Sequence, residues 1–248
     1  MRLSGKTAIV TGAGSGLGAG IARRFVAEGA RVLVADLNLE AAREVAAELG
    51  ALAGAARVDV ADAASVAALG AEATRHFGPL DILVNNAGVG HPPRPLEELE
   101  AATFERLLAV NIRSVYLTAR EFVPGMKRRH RGAILNIAST GAVSPRPGLT
   151  WYNASKGWVV TATRSMAVEL APFGIRVNAL NPVASETPLL RTFMGADTPE
   201  VRARFLATIP LGRFATPEDM ANTATFLCSD EAGMITGVAL EVDGGRCI

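Results

Sequence analysis

A chain of 248 residues, 49% hydrophobic and 20% charged, has enough apolar matter for a sizeable core and too much for disorder. With 25 basic and 24 acidic side chains its net charge is +1, so no global field holds it on nucleic acid or an anionic membrane, and a small-molecule partner is expected. Cys228 and Cys247 form no C-x-x-C pair, and His76, His91 and His130 are scattered, so no metal site is expected and a reducing compartment is the default.

The opening MRLSGKTAIVTGAG reaches glycine and threonine too soon for a signal peptide. No stretch reaches the roughly 18 uncharged apolar residues of a membrane span. Even WVVTATRSMAVELA carries Arg164 and Glu169. A soluble, cytoplasmic protein without a membrane partner is expected.

Short β-branched runs alternate with helical patterns along the chain. The expected strands are TAIV (7–10), RVLVAD (31–36), ARVDV (56–60), DILVNN (81–86), AILNIAS (133–139), IRVNAL (175–180) and VALEVD (238–243). Apolar at nearly every position, they read as strands buried on both faces. LGAGIARRFVAEG, LEAAREVAAELG and SVAALGAEATRHFG between them read as helices, each closed by a glycine. Repeated β-α-β predicts an α/β fold: a single-domain, Rossmann-type, doubly wound parallel sheet of about seven strands with helices on both faces. Neither a linker nor a repeat divides residues 1–248. The stretch 182–210 breaks the rhythm with Pro182, Pro188, Gly195 and Pro199, and reads as a substrate lid.

TGAGSGLGAG follows the first strand and opens the first helix, where a dinucleotide pyrophosphate can rest on free backbone N–H groups. A P-loop built on SGKT lacks the upstream glycine its spacing needs. The second strand ends on Asp36, about 20 residues beyond the glycines, where a carboxylate accepts from adenosine ribose hydroxyls and repels a 2′-phosphate. Leu37 and Asn38 supply no cation to offset that repulsion, so NAD is the expected cofactor rather than NADP.

These residues resemble the short-chain dehydrogenase/reductase family over essentially the whole chain. Thr11-Gly12, Gly16 and Gly18, with Ser15 and Leu17 between, look like its T-G-x-x-x-G-x-G turn. Asn85-Asn86-Ala87-Gly88 is similar to its N-N-A-G, and Ser139, Tyr152 and Lys156 to its serine and Y-x-x-x-K. The resemblance implies that Asn111 is the fourth catalytic residue, anchoring a water that relays protons from Lys156. It also implies that Asp59 and Val60 lie beside the adenine and that Asn86, Ala87, Gly88, Tyr152 and Lys156 contact the cofactor. A homotetramer is expected on the same ground, and the WVVTATRSMAVELA helix, apolar beyond one narrow face, suits it.

The chemistry also follows from the groups. Removing a hydride from an alcohol carbon requires loss of the hydroxyl proton, and a free tyrosine, with a pKa near 10, is mostly protonated at neutral pH. Lys156 stands four residues on, about 6 Å along a helix and on the same face, so its charge favours the phenolate. Ser139, at a strand end, orients and polarises the substrate oxygen.

The family's N-P-G after the sixth strand is here Asn181-Pro182-Val183, followed by Ser185 and Thr187. Pro182, Ser185 and Thr187 are expected beside the nicotinamide carboxamide, and Val183 is expected to reshape that wall. Arg94 in HPPRP and Arg146 in SPRPGLTW read as solvated arginines between turn-forming prolines, with contact to an anionic substrate as the alternative. The leading expectation is an NAD-dependent secondary-alcohol dehydrogenase. Its rivals are an NADPH-dependent 3-oxoacyl carrier-protein reductase, for which KRRHR (127–131) offers a docking cluster, and a non-catalytic dinucleotide sensor.

Overall fold

In the computed structural model, which describes residues 1–248, seven parallel strands form one sheet, six of them on the expected β-branched runs. In chain order the elements are β1 (Thr7–Thr11), α1 (Gly16–Ala27), β2 (Arg31–Asp36), α2 (Leu39–Leu49), β3 (Ala53–Arg57), α3 (Ala63–Phe77) and β4 (Ile82–Asn85). There follow α4 (Ala101–Leu107), α5 (Ser114–Arg129), β5 (Gly132–Ile137), α6 (Thr150–Leu170) and β6 (Ile175–Pro182). The last are α7 (Pro188–Met194), α8 (Pro199–Leu206), α9 (Pro217–Cys228) and β7 (Ala239–Val242).

The strand order is β3-β2-β1-β4-β5-β6-β7. It reverses between β1 and β4, and a crevice outside the C-terminal ends of those two strands is where open parallel sheets bind ligands. Every residue of β1 and β4 is buried, as their unbroken apolar runs require.

The third strand differs from its expected place. It spans Ala53–Arg57, pairing Val32 with Ala53 through Asp36 with Arg57, rather than residues 56–60. Because β2 ends at Asp36, the sheet offers no partner beyond one further bond from Val58 N–H to the Asp36 carbonyl. Asp59 turns away instead: its N–H donates to Ser65 Oγ, and its Oδ1 accepts from Ala61 N–H, each at 2.9 Å. The β-branched residues Val58 and Val60 are buried without being strand.

Helices cover both faces. Ile21 and Phe25 of α1, Val45 of α2 and Met220 of α9 fill one core, while Leu69 of α3, Met126 of α5 and Leu170 of α6 fill the other. Each such burial stabilises by about 1.5–3 kcal/mol. A buried polar chain fixes α6 and α5 to the sheet. Asn85 Nδ2 donates to Asn136 Oδ1 and Asn136 Nδ2 to Thr163 Oγ1, each at 2.8 Å, while Thr118 Oγ1 donates to Asn85 Oδ1 at 2.9 Å. A half-satisfied member would cost the desolvation of its partner, so this network holds α6 in one register.

Candidate active site

A cavity of about 830 Å³ opens over the C-terminal ends of the strands, running from the glycine turn to the start of α6. Its size suits a cofactor-length ligand. Of the residues expected at a cofactor, Gly12, Ser15, Gly16, Leu17, Asp36, Asp59, Val60, Asn86, Ala87, Gly88, Pro182, Ser185 and Thr187 line it, and so do Ser139, Tyr152 and Lys156.

Two glycines show why the turn is built as it is. Gly12 has a left-handed φ of 63°, and a Cβ there would lie 2.8 Å from Ala87 Cα. Gly18 does not line the cavity: it is buried beneath the turn, where a Cβ would stand 2.4 Å from the Gly12 carbonyl oxygen. Its place is the close packing of α1 on the turn. The turn is braced by Asn86, whose Nδ2 donates to the carbonyls of Thr11 and Gly12 at 2.9 and 3.0 Å. At the far end of β2, Asp36 keeps capacity to spare. Each of its oxygens accepts one backbone N–H, from Gly14 and Asn38, and a carboxylate has about four acceptor sites. The cradle therefore fits a dinucleotide: N–H groups at the turn for phosphates and a free carboxylate edge for ribose hydroxyls.

The other end gathers the reactive groups. Tyr152, in the first turn of α6, is buried at 6% exposure, its ring 4.8 Å from that of Phe193 on α7. Burial pushes its hydroxyl up to about 12, while a hydrogen bond with the Ser139 side chain pulls the other way. Burial drives the Lys156 ammonium down to about 8. That ammonium stands 5.9 Å from the centre of the Tyr152 ring and donates to the Ile137 carbonyl at 2.8 Å. Ser139 follows β5 and caps a short turn by accepting from Gly141 N–H at 3.0 Å.

Asn111 reaches the site by a local irregularity. Between α4 and α5 the chain forms a π-turn over Leu108–Arg113, a feature common at functional sites. The turn buries Asn111, whose Oδ1 accepts from Val89 N–H at 2.9 Å and whose Nδ2 donates to the Val89 carbonyl and Ser155 Oγ, both at 3.0 Å. It thus clamps the loop after β4 to α6 without itself lining the cavity.

Val183, in place of a glycine, is buried and lines the cavity. His130 is the sole non-glycine residue with positive φ, so the backbone at Val183 is ordinary and its side chain is simply wall. Of the apolar cover over Tyr152, the sequence singles out only Phe193, in FMG (193–195), as a residue that shapes the substrate site. Leu189 and Phe193 of α7 and Phe205 of α8 line the cavity, as does Val89. Their spacing on α7 and α8 is too short a pattern to reveal which face turns inward. Arg94 and Arg146 part company. Both are partly buried rather than solvated: Arg94 does not line the cavity and donates to the Glu98 carbonyl, whereas Arg146 lines it.

The comparisons with known proteins agree with this geometry. The family described as enoyl-(acyl carrier protein) reductase matches residues 12–246. The chain is 47% identical to 4-formylbenzenesulfonate dehydrogenase of Comamonas testosteroni, with 100% of both sequences covered. It is 40% identical to 2-(S)-hydroxypropyl-CoM dehydrogenase 3 of Xanthobacter autotrophicus over 98% of this chain and 97% of that one. Among solved structures, a 3-ketoacyl-(acyl-carrier-protein) reductase from Brucella melitensis complexed with NADH superposes with a TM-score of 0.95 at 51% identity, over 99% of this chain and 100% of that one.

Proposed function

Because the chain belongs to the short-chain dehydrogenase/reductase family, we propose that it interconverts a secondary alcohol and a ketone by NAD-linked hydride transfer, with Tyr152 as general acid/base. It is an oxidoreductase acting on CH–OH donors. The observation that carries the mechanism is the meeting of Ser139, Tyr152 and Lys156 at one end of a cavity whose other end is the glycine turn and Asp36.

Bound NAD supplies the hydride acceptor. In the oxidising direction Ser139 hydrogen-bonds the substrate oxygen and holds it at Tyr152, whose oxygen takes the hydroxyl proton. Burial alone keeps Tyr152 protonated, so the neighbouring positive charge of Lys156 is needed to favour its phenolate. Lys156 Nζ and Asn111 Oδ1 lie 3.3 and 3.5 Å from the point where a Cβ of Gly88 would stand, which supports a water-bridged proton path from Lys156 past Asn111. Gly12, Ser15, Gly16, Leu17, Asn86, Ala87 and Gly88 hold the dinucleotide, Asp59 and Val60 its adenine, and Pro182, Ser185 and Thr187 its carboxamide. Gly18 supports the turn from beneath. Asp36 favours NAD over NADP.

Residues 1–248 act as one catalytic domain with 182–210 as its lid, and Phe193 and Phe205 cover the site from that segment. A cytoplasmic homotetramer suits the molecule. Tyr116 on α5 and Trp158 and Val168 on α6 are 55%, 40% and 79% exposed, and both cysteines are free.

The carrier-protein reductase reading is less favoured. KRRHR immediately precedes β5, at the opposite edge of the sheet from the cavity mouth, and its charges have local partners. Lys127 pairs with Glu169, Arg131 with Asp81, and Arg129 caps the carbonyl of Gly125. A pure sensor has no use for the Ser139, Tyr152 and Lys156 set. The test is a panel of secondary alcohols run with NAD and with NADP, on the wild type and Tyr152→Phe. Loss of a general acid/base lowers kcat by about 100-fold or more. Undiminished turnover by Tyr152→Phe would falsify the mechanism.

A further inference from the structure

Of the 25 Lys and Arg side chains, ten pair with a carboxylate within 4.0 Å, Arg2, Arg23, Arg43, Arg202 and Arg213 within 3.0 Å. Arg146 and Arg246 do not, for no carboxylate lies within 4.0 Å of either. Arg146 nevertheless lines the same cavity as Ser139 and Tyr152. Its guanidinium is stacked 4.2 Å above the Phe205 ring and donates to Thr208 Oγ1 at 2.9 Å. Its backbone carbonyl accepts from Nδ2 of Asn153, the neighbour of Tyr152, at 3.0 Å. The group is held on its face and at one N–H, and a guanidinium has five N–H donors.

Arg246 stands behind it. Its Nη1 donates to Ser144 Oγ at 2.7 Å, and its Nε is buried without a partner. Burial, and after it the nearby charge of Arg246, disfavours the charged form of Arg146. Two like charges brought together, one half-desolvated, cost free energy unless an anion joins them. The protein supplies none there: the only carboxylates lining the cavity are Asp36 and Asp59, both beside the dinucleotide's adenosine half.

We propose that Arg146, backed by Arg246, binds an oxyanion carried by the substrate, a carboxylate or sulfonate set apart from the reacting carbinol by an apolar body. The apolar span is supplied by Val89, Leu149 and Phe193, which line the cavity with Tyr152. A planar guanidinium edge matches such an oxyanion with two parallel hydrogen bonds. The inference rests on the dehydrogenase reading above.

The probes are 4-(1-hydroxyethyl)benzoate, the corresponding benzenesulfonate and the neutral benzamide, each oxidised with NAD. In parallel, equilibrium binding of benzoate, benzenesulfonate and benzamide to the NADH complex reads the site without turnover. The wild type should favour at least one anion over the amide by about tenfold or more in both readouts, the lower end for a charge-assisted hydrogen bond. Arg146→Gln should collapse that ratio through KM, Arg246→Gln should weaken it, and Arg146→Lys should restore part of it. The larger ratio, on carboxylate or on sulfonate, identifies the oxyanion. Equal affinity for anion and amide in the wild type, or equal losses on all three probes in Arg146→Gln, would overturn the proposal and make Arg146 only a pin for α8. Absence of NAD-linked turnover on every alcohol, beside anion binding that depends on Arg146, would sink the dehydrogenase reading and leave the oxyanion site standing.

Discussion

The carboxylate of Asp36 accepts a hydrogen bond from the backbone N–H of Gly14, 2.9 Å away, so the residue proposed to bind the ribose also braces the glycine turn. Its second oxygen accepts from Asn38 N–H at the same distance and ties β2 to the start of α2. Substitution at this position therefore acts on specificity and stability together. Asp36→Ala should lower stability by about 1–3 kcal/mol, the cost of losing a charged acceptor for these N–H groups. Asp36→Ala with Leu37→Arg, which puts a cation where a repelling charge stood, should lower the NAD-to-NADP ratio of kcat/KM by about 100-fold or more. Steady-state kinetics with both cofactors and urea unfolding check the two effects. An unchanged ratio in the double variant would remove Asp36 from cofactor selection.

What was legible in the sequence had local causes. Strands β1, β2 and β4 read correctly because both of their faces are buried, which leaves an unbroken apolar run. The glycine turn and the Tyr152–Lys156 spacing are equally local. The errors have non-local causes. Val58 and Val60 look like strand, but pairing stops with Asp36 of the neighbouring strand, which no local pattern announces. Arg146 between two prolines looks solvated, yet Phe205 and Thr208, far along the chain, hold it at the cavity. The π-turn that buries Asn111 leaves no periodic signature, since a single extra residue per turn merges into the helical pattern on either side.

Helix α9 starts with a reciprocal cap. The Thr216 hydroxyl accepts from Asp219 N–H at 3.3 Å, and Asp219 Oδ2 accepts from Thr216 N–H at 2.8 Å. Arg213 bonds the same carboxylate and is the largest cause holding its pKa down at about 2. Because the folded value lies below the ordinary 3.8, the carboxylate's contribution is complete above that pH and disappears as pH falls toward 2. Thr216→Ala should cost about 1 kcal/mol at neutral pH. Asp219→Asn should destabilise at pH 7 and converge on the wild type near pH 2. Denaturant midpoints across that range decide it; a penalty independent of pH would show that the carboxylate's charge contributes nothing.

Lys156 and Tyr152 give the protein an alkaline stability profile of a definite shape. The Lys156 ammonium is buried with one carbonyl partner, and its pKa falls from 10.5 to about 8. Between those values the unfolded chain binds a proton at this lysine that the folded chain does not, so stability rises with pH across the window. Below about 8 the folded protein carries the buried charge, at a cost on the order of 3 kcal/mol at pH 7. Tyr152 acts in the opposite direction. Its pKa rises from 10 to about 12, so above pH 10 the unfolded chain loses a proton first and stability declines. Burial of Cys228 and Cys247 raises both thiols above 9.0, to about 12 and 11, which adds to the decline. The informative quantity is therefore the difference between the wild type and Lys156→Met, which keeps the buried stem and removes the ammonium. Lys156→Met should be inactive yet more stable than the wild type at pH 7, with the advantage shrinking toward zero by about pH 10, a window bounded by the two lysine values. Urea unfolding at pH 7, 8, 9 and 10 measures it. A variant less stable than the wild type at pH 7, or a difference that does not change with pH, would mean that the Ile137 carbonyl fully compensates the buried charge.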